Sequence, residues 1–255
     1  CCPSPLPQLK VTALTISAPS QQMLGHAHSL FFIHIPKTAG STFVEFFRAH
    51  APGQCQFWYS DTQRAAFLEG REYTAGVSSI AGGHFPLYQG LAAAGPGCTY
   101  LSFVRHPVDR LVSFYHFARR TAPRNSTAEA AKAKDLLGFL KFLKKQRPRI
   151  LRNQQCRFLA AEEALHEDFS CCFEEVRKGW QGLSLVLLPS DQCSNAVQTV
   201  ASWAGIELAR EPRSRKVAPA EDRIKPCNKA CDFILKHNEE DLKLFTHLNQ
   251  GGGAG

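Results

Sequence analysis

Residues 31–43 read FFIHIPKTAGSTF. An apolar run ends at Pro36, a loop carries Lys37, Thr38, Ala39 and Gly40, and a helix opens at Ser41. Unpaired N–H groups at a helix N-terminus point outward, and the helix dipole favours negative charge there. Gly40 lets the backbone come close to a ligand. Ser41 and Thr42 add hydroxyl donors, and Lys37 adds a point charge. The chemistry that fits is the holding of a phosphate-like anion. The loop is not a Walker A loop, which puts its lysine next to the helix in G-x-x-x-x-G-K-[ST]. Here Lys37 precedes Gly40, and no metal-binding carboxylate of the NTPase kind is evident. The plainer reading is an ordinary capped turn with a surface lysine.

A second anion site is readable in Leu101–Phe117, LSFVRHPVDRLVSFYHF. Arg105 ends a strand, Pro107 is placed to start a helix, and Ser113 lies two turns on. Arg105 can fork onto a phosphate, and Ser113 can donate to it. Arg110 and Tyr115 are further polar groups on the same helix. The competing reading pairs Arg105 with Asp109 as a structural ion pair. Between the two sites, Ala81–Tyr88 reads AGGHFPLY. His84 follows a double glycine that lets substrate approach, and a histidine suits the removal of a proton from a hydroxyl. Glu45 and His106 are rival bases. His34, inside the first strand, reads as a core residue.

These groups need strands and helices to hold them. Apolar runs predict strands at Leu30–Ile35, Val77–Ala81, Thr99–Val104 and Ser184–Leu188, with an edge strand over Val11–Ile16. Helical spacing covers Ser41–His50, Val108–Arg120, Asp135–Lys145, Asp191–Trp203, which Asp191 can cap, and most of Ile224–Leu248. Arg119–Lys134 reads as a surface loop running into a helix. Strands alternating with helices imply an α/β fold: a single domain with a P-loop-like parallel sheet covered by helices on both faces. Ligands of such sheets bind where strand gives way to helix. The domain is expected over 30–248, with a flexible lead-in at 1–29 and a flexible tail at 249–255.

The chain has 255 residues, 44% hydrophobic and 20% charged, which excludes a disordered or fibrous protein. No apolar run reaches the roughly 18 residues of a membrane span, so a membrane anchor or signal peptide is expected only outside this chain. The net charge of +8 favours polyanionic partners but is modest for a nucleic-acid binder, and none is expected. The ten cysteines do not form C-x-x-C pairs, which disfavours zinc ribbons. Disulfides and buried free thiols both remain open. Two basic stretches stand out, Lys141–Arg152 and Arg213–Lys216 with Arg210 and Arg223. Each can receive an acidic partner or be a solvated face.

P-K-T-x-G-S/T-T after one strand and R-x-P-x-x-R-x-x-S-x-Y after a later one together resemble the sulfotransferase superfamily. The resemblance implies that Lys37, Thr38, Ala39, Gly40, Ser41 and Thr42 hold the 5′-phosphosulfate of 3′-phosphoadenosine 5′-phosphosulfate (PAPS). It implies that Arg105 and Ser113 hold the 3′-phosphate. RNQQCRFLA at Arg152–Ala160 and HNEEDLKLFTHL at His237–Leu248 are similar to segments of the carbohydrate branch that includes heparan sulfate 2-O- and 6-O-sulfotransferases. That branch has its base in a G-H segment similar to the one at His84. The chain departs from the branch at His106, where an acid is common, and at Leu183–Asp191, which lacks a G-L-T-E-like sequence.

The expected activity is transfer of a sulfuryl group from PAPS to a hydroxyl, by in-line displacement. Lys37 neutralises charge and His84 takes the acceptor proton. No metal is needed in this scheme, because fixed cations and amides do the neutralising. By resemblance the acceptor is a glycan and the location the Golgi. A kinase-like phosphotransferase and a non-catalytic glycan-binding protein on the same scaffold are the alternatives.

Overall fold

The computed structural model describes residues 29–69, 80–95, 97–121, 125–207 and 224–250. The expected edge strand at 11–16, the basic cluster within 210–223 and residues 251–255 lie outside these. The described residues form one five-stranded sheet, all parallel: β1 (Leu30–Ile33), β2 (Cys55–Trp58), β3 (Ile80–Gly83), β4 (Thr99–Val104) and β5 (Ser184–Pro189), in the order β2-β3-β1-β4-β5. From β1 the chain passes to the edge strand β2, returns inward to β3 beside β1, and then crosses to β4 and β5 on the other side. The ends of β1 and β4 therefore flank the crevice where such sheets bind ligands.

Helices cover both faces. α1 (Gly40–His50) turns Phe43, Val44, Phe46 and Phe47 inward. α2 (Asp61–Leu68) starts at a capping box in which Ser60 and Gln63 satisfy each other's backbone N–H. α3 (Leu87–Ala94) follows β3, and α4 (Pro107–Arg120) opens with proline at its first position. α5 (Ser126–Ala133) is capped by Asn125 and α6 (Leu136–Gln146) by Asp135. Four short helices come next: α7 (Pro148–Leu151), α8 (Gln154–Phe158), α9 (Glu163–Glu167) and α10 (Phe173–Lys178). α11 (Cys193–Trp203), α12 (Asn228–Lys236) and α13 (Glu239–Gln250) close the fold.

Alternation along β1 assigns the faces. Leu30 and Phe32 pack with α1 and α11 through Phe43, Phe47, Val197 and Val200. Phe31 and Ile33 join Phe85, Tyr100, Val176, Leu244 and Leu248 on the opposite face. A third cluster of Leu111, Phe139, Leu140, Leu143 and Ile234 binds α4, α5, α6 and α12 to one another.

Four expectations change. β2 was not anticipated at all. Of the strand expected at Val77–Ala81, residues 77–79 lie outside the described ones; β3 runs over Ile80–Gly83 and includes the double glycine, so Gly82 and Gly83 do not open a path for substrate. A Cβ on Gly82 would sit 2.1 Å from the Phe32 carbonyl oxygen, and one on Gly83 2.0 Å from that of Trp58. Both glycines are there because the neighbouring strands come too close for a side chain. Of the stretch Arg119–Lys134, Arg119 and Arg120 end α4 instead of opening a loop, 122–124 lie outside the described residues, and the expected helix is α5, whose Ala128, Ala130 and Ala131 are buried. Asp191 does not cap α11; it lies in a short 3₁₀ turn, Ser190–Gln192, that precedes it.

Candidate active site

The strand register sets the first part of the site. Ile33 pairs with Gly83, and Gly83 with Trp58. The next residue on each strand is His34, His84 and Tyr59, so these three form one row across the C-terminal edge of the sheet. The His34 and His84 ring centroids are 4.7 Å apart, and the Tyr59 ring meets His84 edge-on at 4.7 Å. The Tyr59 hydroxyl lies 2.7 Å from His34 Nδ1.

His84 is half-buried, and its carbonyl accepts a hydrogen bond from Arg64 Nη1 at 3.0 Å. Burial first, and then the Arg64 charge, pull its imidazole down to about 4. His84 is therefore neutral at neutral pH and able to accept a proton. Its titration lies below the ordinary histidine value near ~6.5 that the sequence alone implies. His34 is held lower than usual as well, by burial, then by His84 and Lys37.

The loop between β1 and α1 is shaped by its backbone. Lys37 and Ala39 both adopt φ 73°, with Thr38 between them at negative φ. Left-handed non-glycine residues cost about 1–3 kcal/mol each and concentrate at functional sites. Alternation into this region is the backbone form of an anion-binding nest. Thr38 is buried, and its hydroxyl donates inward to the Ile35 carbonyl at 2.9 Å. Its side chain thus braces the loop. Ser41 and Thr42 are half-buried on the first turn of α1. Lys37 Nζ lies 4.4 Å from the centre of the Phe117 ring, which brings the loop against α4.

Because β4 pairs with β1, Arg105 emerges beside this loop. Its backbone is clamped on both sides by one side chain: Arg105 N–H donates to Gln155 Oε1, and Gln155 Nε2 donates to the Arg105 carbonyl, each at 2.8 Å. The guanidinium is half-buried and has no hydrogen-bond partner among the described residues. Burial lowers its pKa, and Asp109 opposes that. Ser113 lies half-buried on α4.

Arg110 and Tyr115, from the same motif, face inward. Arg110 is fully buried, donating to Gln154 Oε1 at 2.6 Å and to the Ile150 carbonyl at 3.1 Å. The Tyr115 hydroxyl donates to the Lys134 carbonyl at 2.7 Å. Both hold the fold. Glu45 is exposed on α1, and the His106 ring packs against Phe245. Among the described residues no group of His, Cys, Asp and Glu is placed to hold a metal ion, and no helix is long and apolar enough to cross a membrane.

The segments 152–160 and 237–248 dock into each other. Asn153 Oδ1 accepts from the backbone N–H groups of Glu240 and Asp241. Asp241 accepts from the N–H groups of Gln155 at 3.1 Å and Cys156 at 2.8 Å. Sequence reasoning missed Tyr59 and the role of Gln155. The S-x-x-Q at Ser60–Gln63 is a capping-box signal that could have ended β2 at the right place and exposed Tyr59. Nothing local to Gln155 reveals its partner 50 residues away.

A search of the curated proteins returned no match. Among solved structures, the chain is similar to a sulfotransferase from Alicyclobacillus acidocaldarius at 15% identity and a TM-score of 0.49, covering 86% of this chain and 95% of the other. It is also similar to a mouse sulfotransferase complexed with PAP, at 12% identity and a TM-score of 0.43, over 91% of this chain and 95% of that one. The model of the sulfotransferase family matches residues 21–247, which span the loop, the row and the Arg105 turn alike. That match covers most of the sequence, and the chain belongs to the sulfotransferase family.

Proposed function

We propose that this protein transfers a sulfuryl group from PAPS to a hydroxyl of a carbohydrate acceptor, with His84 as general base. The observation that carries the reading is positional. His84, Lys37 and Arg105 follow three adjacent strands, β3, β1 and β4, at one edge of the sheet. A proton acceptor and two cations are thus brought to one edge by adjacent strands of the sheet.

The donor supplies an activated sulfuryl group and an anionic leaving group. The backbone of Lys37–Gly40 and the first turn of α1, with Ser41 and Thr42, hold its 5′ end. Lys37 neutralises the charge that develops there, an interaction that is stronger in the transition state than before it. Arg105 and Ser113 hold the 3′-phosphate. A ring nitrogen of neutral His84 takes the acceptor proton. The carbohydrate acceptor and a Golgi location rest on resemblance. The basic residues of Lys141–Arg152 and the net charge of +8 favour an acidic glycan.

Labelled PAPS offered with a panel of sulfated and unsulfated glycans, simple phenols and alcohols tests this. Label is expected on glycan. Label on phenols or alcohols alone overturns the acceptor class. No transfer to any of them, with phosphate transfer from ATP and magnesium instead, overturns sulfuryl transfer.

A further inference from the structure

His34 reads from sequence as a core residue, and it is 5% exposed. Its surroundings are not those of an inert ring. Nδ1 faces the Tyr59 hydroxyl at 2.7 Å. The opposite edge lies against Gly40, the first residue of α1. A Cβ on Gly40 would come within 2.3 Å of Cδ2 and 2.6 Å of Nε2. The glycine is therefore needed to admit the imidazole, and Nε2 is brought to the N-terminus of α1. Among the described residues Nε2 has no hydrogen-bond partner. Nor is it one of the sealed-in polar atoms without a partner, so on an otherwise buried ring it is the atom left to meet a ligand.

The tautomer follows from the neighbours. Burial raises the Tyr59 phenol above its usual value, with Arg48 opposing and Glu45 adding, so it keeps its proton and can donate. Burial, His84 and Lys37 keep His34 neutral. A neutral imidazole carries one N–H. If Tyr59 donates to Nδ1, that N–H is on Nε2, beside the outward-pointing amides of the helix start.

We infer that His34 is a further anion-binding residue, donating from Nε2–H to the group seated at the N-terminus of α1, and that Tyr59 is the positioning residue that fixes this tautomer. The inference rests on the reading of this loop as the seat of the donor's 5′ end. The ligand chemistry is a terminal phosphate or phosphosulfate oxygen. His34 supplies a neutral, directional donor that complements the point charge of Lys37 and the fixed dipole of the helix. It lies next to His84 without competing with it, since a donor on Nε2 has no lone pair there to accept the acceptor proton.

Calorimetry with adenosine 3′,5′-bisphosphate and adenosine 3′-monophosphate on wild type, His34→Ala and Tyr59→Phe tests it. His34→Ala is expected to weaken bisphosphate binding about tenfold or more, the value of a hydrogen bond to a charged group. Its affinity for the 3′-monophosphate should not change. Tyr59→Phe should weaken bisphosphate binding a few-fold. Nitrogen-15 spectra of wild type should show His34 protonated on Nε2, with that preference lost in Tyr59→Phe. Unchanged bisphosphate affinity in His34→Ala, or a wild-type His34 protonated on Nδ1, overturns the inference. Should His34→Ala fail to fold, Tyr59→Phe and the wild-type spectrum decide. A wild type that binds both nucleotides equally overturns the reading of the loop, and this inference with it.

Discussion

The edge of the sheet and the buried knot of Arg110 with the docked segments 152–160 and 237–248 treat charged residues of one motif differently. Arg105 and Arg110 are five residues apart. Arg110 is sealed in: Gln154 and the Ile150 carbonyl accept from its Nη1 and Nη2, the charge of Asp241 faces it, and only its Nε is left without a partner among the described residues. Burial pulls its pKa to about 10 even so. Asp241 is equally buried, which raises its carboxyl, while Arg110 and the N–H groups of Cys156 and Gln155 oppose the rise. At the edge, Arg105 has its backbone clamped and its guanidinium without a hydrogen bond among the described residues. The motif letters are alike. What separates a binding cation from a structural one is whether the fold has already spent its hydrogen bonds. Two substitutions, one in each region, separate these roles most sharply.

The largest effect is expected at the edge. His84→Ala should lower turnover by about 10²–10⁴-fold, the usual worth of general-base catalysis, with donor affinity and melting temperature nearly unchanged. Since His84 must be unprotonated to act and titrates near 4, kcat/KM should be flat across neutral pH and fall only as pH drops towards that value. Negative charge from a bound donor favours the protonated imidazole, so the acid limb of kcat should lie above that of kcat/KM. A limb in kcat/KM near the ordinary histidine value would place the base elsewhere. The knot should respond the opposite way. Asp241→Ala leaves the buried Arg110 charge uncompensated and two N–H groups without an acceptor, which should cost about 3–5 kcal/mol of stability. Denaturant titration measures it. A loss in activity with stability unchanged would erase the distinction between the regions.

Arg105→Ala is the next test, on the borderline between the two. It should weaken binding of adenosine 3′,5′-bisphosphate by about 1.5–3 kcal/mol, the range for a hydrogen bond to a charged group. Affinity for adenosine 5′-monophosphate should stay as it is, because Arg105 is assigned to the 3′-phosphate. Equal losses for both nucleotides would make Arg105 a general cation and not the reader of one phosphate.

Much of this was legible in the sequence, for definite reasons. β1 and β4 are fully buried on both faces, so Leu30–Ile33 and Thr99–Val104 read as apolar runs. Pro107 marked the start of α4, and the loop before α1 announced itself by residue type. β2 was hidden because Cys55–Trp58 is four residues long, carries Gln56 and has no β-branched residue. Gly82 and Gly83 read as a turn because a strand glycine is justified only by how near the neighbouring backbone comes, which is a tertiary fact. For the same reason His34, His84 and Tyr59 could not be joined from sequence. They lie 25 or more residues apart and meet only through register. Chemistry that depends on one residue is visible in a motif; chemistry that depends on a row across strands is not.

Gln155 offers the finest test, because it belongs to both regions. Its side chain holds the N–H and carbonyl of Arg105, and its own N–H donates to Asp241. It is fully buried, so no solvent replaces those bonds. Gln155→Ala removes two hydrogen bonds to the Arg105 backbone but leaves the Arg105 side chain and the Asp241 carboxylate in place. The guanidinium is then still present and no longer aimed. Stability should fall by about 1–3 kcal/mol, the cost of leaving buried groups unpaired. Bisphosphate affinity should fall by less than in Arg105→Ala, and 5′-monophosphate affinity should hold. The double mutant Arg105→Ala, Gln155→Ala should bind bisphosphate no worse than Arg105→Ala alone, since the clamp matters to binding only through the residue it aims. Additive losses of affinity in that cycle would mean that Gln155 acts on the ligand by another route, and that the edge is not positioned by the knot.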